Sequence, residues 1–315
     1  MNVRIIFAGT PELAVPTLKA LTESKHEIVL VLTQPDRPAG RGHKLLASAV
    51  KQFTQTYTQI PIVQPASLKP TENYELLKSY QPDLMIVLAY GLLIPKPILE
   101  LPRLGCINPH ISILPRWRGA SPGTSAILTG DPGSGVTLIQ MDAGMDTGAM
   151  LARAMLPIAT DDTTGSLHKK LGELAAILVI NNLDAIEHQK ITPEIQNEQW
   201  VTHARKITKE DALINWSLPA VQIERMVRAF DPWPIAHTQV DAERLRIWQS
   251  EILTTVTNAI PGTIIARDKQ GLDVACGEHS VLRIKQLQWP GGNILNTSDI
   301  ANQQHRLLVG THLGN

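Results

Sequence analysis

The hydrophobic pattern of the first part of the chain alternates between short apolar runs and longer segments of helical period. Continuous apolar runs are typical of buried parallel strands, and apolar residues every three or four positions are typical of helices. Strands are predicted at Val3–Ala8, Glu27–Thr33, Pro61–Gln64, Asp83–Ala89, Leu104–Asn108, Gly135–Met141 and Ala149–Leu156. Helices are predicted at Ala47–Tyr57, Glu72–Tyr80, Lys96–Leu101, Gly119–Leu128 and Asp161–Glu187. This alternation predicts an α/β domain with a doubly wound, mostly parallel sheet.

The pattern changes after His188. Lys190–Trp200 is polar and has no clear period, which is typical of a linker, and a helix is predicted at Pro219–Phe230. Short runs separated by Gly, Asp and Pro then predict strands at Ile235–Val240, Leu245–Ile252, Gly262–Ala266, Gly271–Ala275 and Ser280–Leu287. We therefore predict an α/β domain at 1–189, a linker at 190–207, and a small β-barrel or sandwich at 208–315.

Composition excludes several classes of protein. The chain has 315 residues with 29 Lys and Arg against 29 Asp and Glu, so any nucleic-acid partner must be argued from local patches. Two cysteines are too few for a disulfide framework or a Cys-rich zinc site. The longest apolar stretch, Leu84–Pro95, is shorter than the roughly 20 residues that span a bilayer, and the N-terminus lacks the pattern of a signal peptide. We expect a cytoplasmic protein that does not enter a membrane.

Polar side chains follow the fifth predicted strand. Asn108 and His110 lie two positions apart at its end. Side chains at i and i+2 of an extended segment point to the same side. In open α/β sheets ligands bind at the carboxyl ends of the strands. This pair is therefore a candidate for a catalytic edge. The first turn of the domain holds Gly9 but no G-x-G-x-x-G pattern, so dinucleotide binding is poorly supported.

A second candidate is the acidic loop after the sixth strand, where Gly144 and Gly148 bracket Asp146. One interpretation is an Asp-Gly hairpin turn with no further role. The other is a carboxylate brought next to the His110 imidazole, since both would follow strand carboxyl ends. The two glycines would let the backbone turn sharply beside Asp146. Spacing alone slightly favours the hairpin turn.

An amide, an imidazole and a carboxylate together favour direct acyl-type transfer. The amide and imidazole would stabilise an oxyanion, and the imidazole–carboxylate pair would take the proton of an attacking amine. Ser112 is a rival nucleophile, although no G-x-S-x-G pattern surrounds it. His110 and Asp146 lack a third spaced ligand for a metal ion, so no metal is expected.

The segment Thr33–Lys44 is predicted to be a loop without regular structure, because it contains two Pro and two Gly. It holds Arg37, Arg41 and Lys44 against the single acid Asp36. It is either a solvated loop or a cationic finger that meets a phosphate backbone. Composition alone favours the solvated loop.

Several stretches together resemble the methionyl-tRNA formyltransferase family. They are Phe7–Glu12, Thr33–Gly42, Gly105–Asn108 with Pro115–Ala120, Met141–Gly148 and Arg228–Pro234, and they occur in the family's order. The resemblance runs essentially from end to end. It implies a Rossmann-like formyltransferase domain followed by an OB-like β-barrel that contacts tRNA. It also implies transfer of a formyl group from 10-formyltetrahydrofolate to the amino group of methionyl-initiator tRNA, by a protein expected to act as a monomer.

The resemblance also assigns roles to individual residues. Asn108, His110 and Asp146 match the family's catalytic trio. The segment Ser112, Ile113, Leu114 and Pro115 matches its tetrahydrofolate-binding segment. The Thr33–Lys44 loop is similar to the inserted loop that contacts the tRNA acceptor end, with Arg37, Arg41 and Lys44 as its basic residues. This implication reverses the preference for a solvated loop that composition gave.

Two rival functions stay open at this stage. One is formyl transfer to a small amine, such as a ribonucleotide or an amino sugar. The other is a non-catalytic protein that binds tRNA or folate, because the chain differs from the family pattern at Pro109, Ile111, Gly123–Ser125 and Ala149.

Overall fold

The computed structural model of the chain describes residues 2–39, 44–302 and 306–314. This part of the chain packs into two units. The first unit comprises the chain up to Pro122, Gly133–Pro157 and His168–Ala204, and the second comprises Gly123–Pro132, Ile158–Leu167 and the chain from Arg205 onward.

Strands and helices alternate over the first 204 residues. The strands are β1 (Arg4–Gly9), β2 (Glu27–Leu32), β3 (Arg37–Ala39), β4 (Lys44–Leu46), β5 (Ile62–Val63), β6 (Leu84–Leu88), β7 (Cys106–His110), β8 (Arg118–Gly119), β9 (Gly133–Gln140), β10 (Met150–Pro157) and β11 (His203–Ala204). The helices are α1 (Val15–Thr22), α2 (Ala49–Tyr57), α3 (Thr71–Ser79), α4 (Lys96–Leu99), α5 (Pro122–Thr129) and α6 (Thr164–Glu187). Short 3₁₀ turns lie at Glu12–Ala14 and Glu198–Trp200.

The first unit is built on a sheet with strand order β10-β9-β7-β6-β1-β2-β5. Strands β5, β2, β1, β6 and β7 run parallel to their neighbours, whereas β9 runs antiparallel to both β7 and β10. Every residue of β6 is buried, because a strand in the middle of such a sheet is covered on both faces. The predicted mostly parallel sheet is confirmed.

The predicted irregular loop after β2 contains a short ladder. Strands β3 and β4 pair antiparallel, with Arg37 opposite Leu46 and Ala39 opposite Lys44. The prediction that Pro and Gly forbid regular structure here was wrong at both ends of the segment. Pro38 is tolerated because a two-stranded ladder has open edges, where a missing N–H costs no bond. Residues 40–43, Arg41 among them, lie outside the described residues.

The predicted linker packs against the first unit. Glu194 exchanges two backbone hydrogen bonds with Met150, each of 2.8 Å. Strand β11 pairs parallel with β8. The stretch from about residue 194 to 204 is therefore part of the first unit rather than an unattached tether. The domain boundaries themselves stay a prediction.

The second unit is an antiparallel β domain with short helices. Its strands and α-helices from Arg205 onward are α7 (Ala220–Ala229), β12 (His237–Val240), β13 (Glu243–Leu253), β14 (Ile264–Asp268), β15 (Gly271–Ala275), β16 (Val281–Gln288), β17 (Ile294–Leu295) and α8 (Thr297–Ala301). A short 3₁₀ turn lies at Glu210–Ala212. Strand order is β12-β13-β16-β15-β14, and β17 pairs with β16. Its core includes Trp216, Ile223, Leu245 and Leu282. The antiparallel β domain agrees with the predicted fold class.

None of the helices in the described ranges is both long enough and apolar enough to cross a membrane.

Burial of His26 makes the stability of the first unit depend on pH. Its side chain is 3% exposed, and its Nε2 lies 3.7 Å from an Asp184 carboxylate oxygen. Its Nδ1 accepts the Val3 N–H at 3.2 Å. Burial lowers the pKa of His26 below its ordinary value, and the charge of Lys25 lowers it further, against the opposite effect of Asp184 and Glu187. The unfolded chain therefore binds the proton more readily than the folded chain.

We expect this chain to lose stability as the pH falls through the ordinary histidine value of 6.5. The reason is that protonation of Nδ1 removes the acceptor of the Val3 N–H. The check is the melting temperature at about pH 8 and about pH 5, measured for the wild type and for His26→Asn, whose amide oxygen accepts the same N–H without titrating. The variant should lose less stability on acidification. Equal losses would show that His26 does not contribute.

Candidate active site

The polar end of β7 extends further than predicted. Cys106 and Ile107 pair with β6, and Ile107–His110 pair with β9. The predicted strand ended at Asn108, and the structure corrects this because the antiparallel partner β9 continues the ladder to His110. Pro109 fits there because β7 has left its parallel neighbour by that point.

One ring nitrogen of the His110 imidazole forms a hydrogen bond to the backbone. Its Nε2 lies 2.9 Å from the carbonyl oxygen of Trp117. A carbonyl only accepts hydrogen bonds, so Nε2 carries the proton in this contact. The Nδ1 atom lies 3.5 Å from Asp146 Oδ1. His110 is 6% exposed. The nitrogen that is able to gain or lose a proton is therefore Nδ1, beside the carboxylate.

Asp146 reaches His110 from the loop between β9 and β10. The loop connects two antiparallel strands, as the hairpin interpretation predicts. It also brings a carboxylate next to the His110 imidazole, as the other interpretation predicts. Asp146 itself takes the left-handed conformation, with φ of 56°. Its Oδ2 accepts the Gly119 N–H at 2.8 Å. The sharp turn is thus made by Asp146, not by a neighbouring glycine. Gly148 is needed for close approach, because a Cβ there would overlap the carbonyl oxygen of Gln140.

Asn108 lies on the same side of β7 as His110 and is partly exposed. Within the residues that the structure describes, no hydrogen bond joins its side-chain amide to another protein group. Its N–H donors are therefore available to a ligand. The structure brings Asn108, His110 and Asp146 to one place at the carboxyl end of β7.

The segment Ser112–Pro115 is a turn held by side chains. The Ser112 hydroxyl donates to the Arg116 carbonyl at 2.7 Å. Thr137 donates to the Ser112 carbonyl at 2.7 Å and accepts the Leu114 N–H at 3.0 Å. Ser112 and Leu114 are each 1% exposed. The Ser112 hydroxyl therefore shapes the turn, which argues against its use as a nucleophile. Thr137, which sequence reasoning missed, lies opposite His110 in the β7–β9 ladder.

The other nearby nucleophile candidate is Cys106. Burial raises the pKa of its thiol to about 12. A thiol that stays protonated at neutral pH is a poor nucleophile. Transfer without a covalent enzyme intermediate therefore fits these side chains best.

A cavity of about 340 Å³ adjoins Asp146. One wall is the Asp142–Gly148 loop, and the other walls are apolar and include Leu92, Leu93, Ile94 and Met141. Apolar walls beside a polar loop suit a small organic ligand that also needs hydrogen bonds. Sequence reasoning missed the Leu92–Ile94 segment, since it reads as the continuation of an apolar strand. The ligand-binding role predicted for Ile113 and Pro115, both partly exposed, stays a prediction.

The basic hairpin, defined as residues 33–46, carries a charge imbalance. Its acid, Asp36, accepts hydrogen bonds from Lys51 Nζ at 2.6 Å and from Gln64 at 2.8 Å. The Lys51 bond, followed by the Gln64 bond, lowers the pKa of Asp36. Arg37 is exposed and donates to the neutral amide oxygen of Gln34. The backbone of Lys44 lies in β4, while its side chain and all of Arg41 lie outside the described residues.

Gln196 is a further residue that sequence reasoning missed. It lies in the predicted linker, yet its amide donates to the carbonyl oxygens of Asp146 and Gly148 at 2.7 and 2.8 Å. No local signal marks it, because its partners are 50 and 48 positions away along the chain.

Known proteins share this fold. HypX from Aquifex aeolicus, in a structure with tetrahydrofolic acid, is 19% identical over 95% of this chain and 46% of its own, with a TM-score of 0.64. An N-formyltransferase from Helicobacter canadensis, in complex with folinic acid and dTDP-3-aminofucose, is 19% identical over 90% of this chain and 98% of its own, with a TM-score of 0.66. Methionyl-tRNA formyltransferase from Clostridium thermocellum is 18% identical over 87% of this chain and 100% of its own, with a TM-score of 0.54.

At these identities the likeness is one of fold. The chain spans about half the length of HypX, since the match covers 49% of the HypX chain in another of its structures. The family models are more specific. The model of the formyl transferase family matches residues 1–183, and the model of the formyl transferase C-terminal domain matches residues 206–305. The chain therefore belongs to the formyl transferase family.

Proposed function

We propose that this protein transfers the formyl group of 10-formyltetrahydrofolate to the free amino group of methionyl-initiator tRNA. The observation that carries formyl transfer is the meeting of Asn108, His110 and Asp146, with the His110 imidazole 3.5 Å from the carboxylate. The feature that supports the tRNA acceptor is the excess of Arg and Lys over Asp in the sequence of the basic hairpin.

The proposed reaction needs one proton to leave the attacking amine. As the amine nitrogen bonds to the formyl carbon, His110 Nδ1 accepts that proton, and Asp146 Oδ1 stabilises the imidazolium. The formyl oxygen becomes an oxyanion, toward which the Asn108 amide donates. The carbon–nitrogen bond to the folate then breaks, and the imidazolium returns the proton to the departing nitrogen. His110 and Asp146 thus end in the state in which they began.

The folate co-substrate is proposed to place its ring system in the cavity beside Asp146. Leu92, Ile94 and Met141 supply apolar walls, and the Asp142–Gly148 loop supplies backbone hydrogen-bonding groups. This location lets one loop both line the cavity and present the Asp146 carboxylate. Two of the similar structures hold tetrahydrofolic or folinic acid by their descriptions, which supports a folate in this family.

The acceptor is the point on which the similar structures differ. The Helicobacter canadensis protein is described with a nucleotide-linked amino sugar, and the Clostridium thermocellum protein as a methionyl-tRNA formyltransferase. A small sugar nucleotide needs few phosphate contacts, whereas tRNA presents a long phosphate backbone. In the basic hairpin the acid Asp36 is paired with Lys51, and Arg37 contacts a neutral amide. The hairpin therefore suits the phosphate backbone of tRNA better than a small sugar nucleotide.

Formylation assays with both acceptors test the proposal. The protein would be supplied with 10-formyltetrahydrofolate and either charged initiator tRNA or a dTDP-linked amino sugar. Formylmethionyl-tRNA as the preferred product would support it. Preference for the sugar would favour the small-amine function, and tRNA binding without any product would favour a non-catalytic role.

We expect Arg41→Ala to weaken tRNA binding and to reduce the slope of log K against log salt by about one, because one phosphate contact is lost. Binding would be measured at several salt concentrations. Lys19→Ala is the matched control, since Lys19 is an exposed cation on α1 and does not belong to the hairpin. If the salt slope of Arg41→Ala equals that of the wild type, the hairpin does not contact phosphate at this position.

A further inference from the structure

We infer that Gln196 and Arg118 position the Asp146 carboxylate for proton transfer and are required for turnover rather than for tRNA binding. This inference rests on the proposed function, because it assumes that Asp146 assists the reaction. It concerns residues outside the proposed catalytic trio.

The Gln196 amide holds the backbone at Asp146 and at the second residue after it. Its NH₂ group donates to the carbonyl oxygens of Asp146 and Gly148. Gln196 is 4% exposed, so water does not replace these bonds easily. Asp146 has a φ of 56°, a conformation that non-glycine residues hold only when their surroundings fix it. The two hydrogen bonds supply that fixation.

Arg118 sets the orientation of the Gln196 amide. Its Nε donates to the Gln196 side-chain oxygen at 2.9 Å. A guanidinium only donates, so the oxygen of Gln196 must face Arg118 and the NH₂ must face the two carbonyl groups. With the amide turned over, its oxygen would face the two carbonyl oxygens and its NH₂ would face the Arg118 N–H. Arg118 therefore selects the one orientation that supports the loop.

The charge of Arg118 is buried but compensated. Its side chain is 4% exposed and donates to both carboxylate oxygens of Glu198, at 2.8 and 3.3 Å. The hydrogen bond from Arg118 lowers the pKa of Glu198, so the pair stays charged at neutral pH. Glu198 is 74% exposed, so the outer end of the network reaches water. A buried guanidinium with such partners is fixed in one geometry.

The peptide group between Arg118 and Gly119 also holds the Asp146 carboxylate directly. The N–H of Gly119, the residue after Arg118, donates to Asp146 Oδ2. The N–H of Arg118 donates to the Thr202 carbonyl at 2.9 Å, within the β8–β11 ladder. Arg118–Gly119 thus holds Asp146 at two points, at the carboxylate through Gly119 and at the backbone through Gln196. Loss of either point would change the distance between Asp146 Oδ1 and His110 Nδ1.

Gln196→Met tests the inference, because methionine has a similar length and no donors. We expect kcat to fall by a factor of about 10 to 100, as for outer-sphere partners of functional groups, with KM for tRNA changed less than about twofold. Gln199→Met, an exposed change in the same segment, is the matched control and should keep the wild-type kcat. If Gln196→Met does not fold, Gln196→Asn, which is one methylene shorter, replaces it.

Coupling to Asp146 separates positioning from a general structural role. In an Asp146→Asn background, Gln196→Met should lower kcat no further, because there is no carboxylate left to position. Losses that multiply in the double variant would overturn the inference, as would a wild-type kcat in Gln196→Met.

A second readout does not depend on activity. Hydrogen exchange of the amides in 142–148 should be faster in Gln196→Met than in the wild type and in Gln199→Met. Failure of wild-type formylation with every acceptor would sink the proposed function, whereas unchanged exchange in an active protein would sink the inference alone.

Discussion

Replacing Asp146 with asparagine is expected to lower kcat by a factor on the order of 10² or more, with little change in substrate binding. The amide oxygen of asparagine can still accept the Gly119 N–H that Oδ2 accepts at 2.8 Å in the wild type. Its NH₂ would then face His110 Nδ1, which lies 3.5 Å from Oδ1. An amide donor there occupies the lone pair that must take the proton, and the charge that stabilises the imidazolium is lost.

Steady-state kinetics with charged initiator tRNA would measure this effect. Asp161→Asn is the control, because Asp161 is an exposed acid outside the site. Its kcat should equal that of the wild type. Turnover by Asp146→Asn within about twofold of the wild type would remove Asp146 from the proposed mechanism.

The second large effect is expected for His110→Gln, again a loss in kcat on the order of 10² or more. Glutamine can still donate to the Trp117 carbonyl, which accepts from Nε2 at 2.9 Å in the wild type. It has no group that takes a proton at neutral pH. The substitution therefore tests proton transfer while it keeps the backbone contact.

A double variant makes the test sharper. His110→Gln combined with Asp146→Asn should be about as slow as either single variant, because residues that act as a unit are not additive. His188→Ala, an exposed histidine after α6, is the control and should not change kcat. Multiplicative losses would mean that His110 and Asp146 contribute to separate steps.

Much of the first unit follows from local pattern. The continuous apolar runs at β1, β2, β6 and β7 predict buried parallel strands, and the structure confirms the sheet that they build. Asn108 and His110 were also predictable, since two polar residues at the end of such a strand must share a side. Spacing and composition also made Asp146 and the basic loop candidates, and the motif resemblance favoured a functional role for both.

Contacts between distant segments were not predictable in this way. The end of β7 depends on its pairing with the antiparallel strand β9, and the sequence around Pro109 does not predict that pairing. The ladder of β3 and β4 depends on pairing across residues that favour turns. Gln196 has the composition of a linker residue, and only its position against the Asp146 loop makes it part of the site.

By itself, then, the sequence determined the class of the sheet, the strand that carries the amide and the imidazole, and the membership of the motifs in one family. Only the tertiary structure decided that Asp146 lies beside His110 Nδ1, that Ser112 shapes a turn, and that Arg118 and Gln196 hold the acidic loop. The physical reason is range. Strand and helix patterns arise from neighbours along the chain. A proton-transfer pair instead depends on the distance between two side chains that lie far apart in the sequence and that folding brings together.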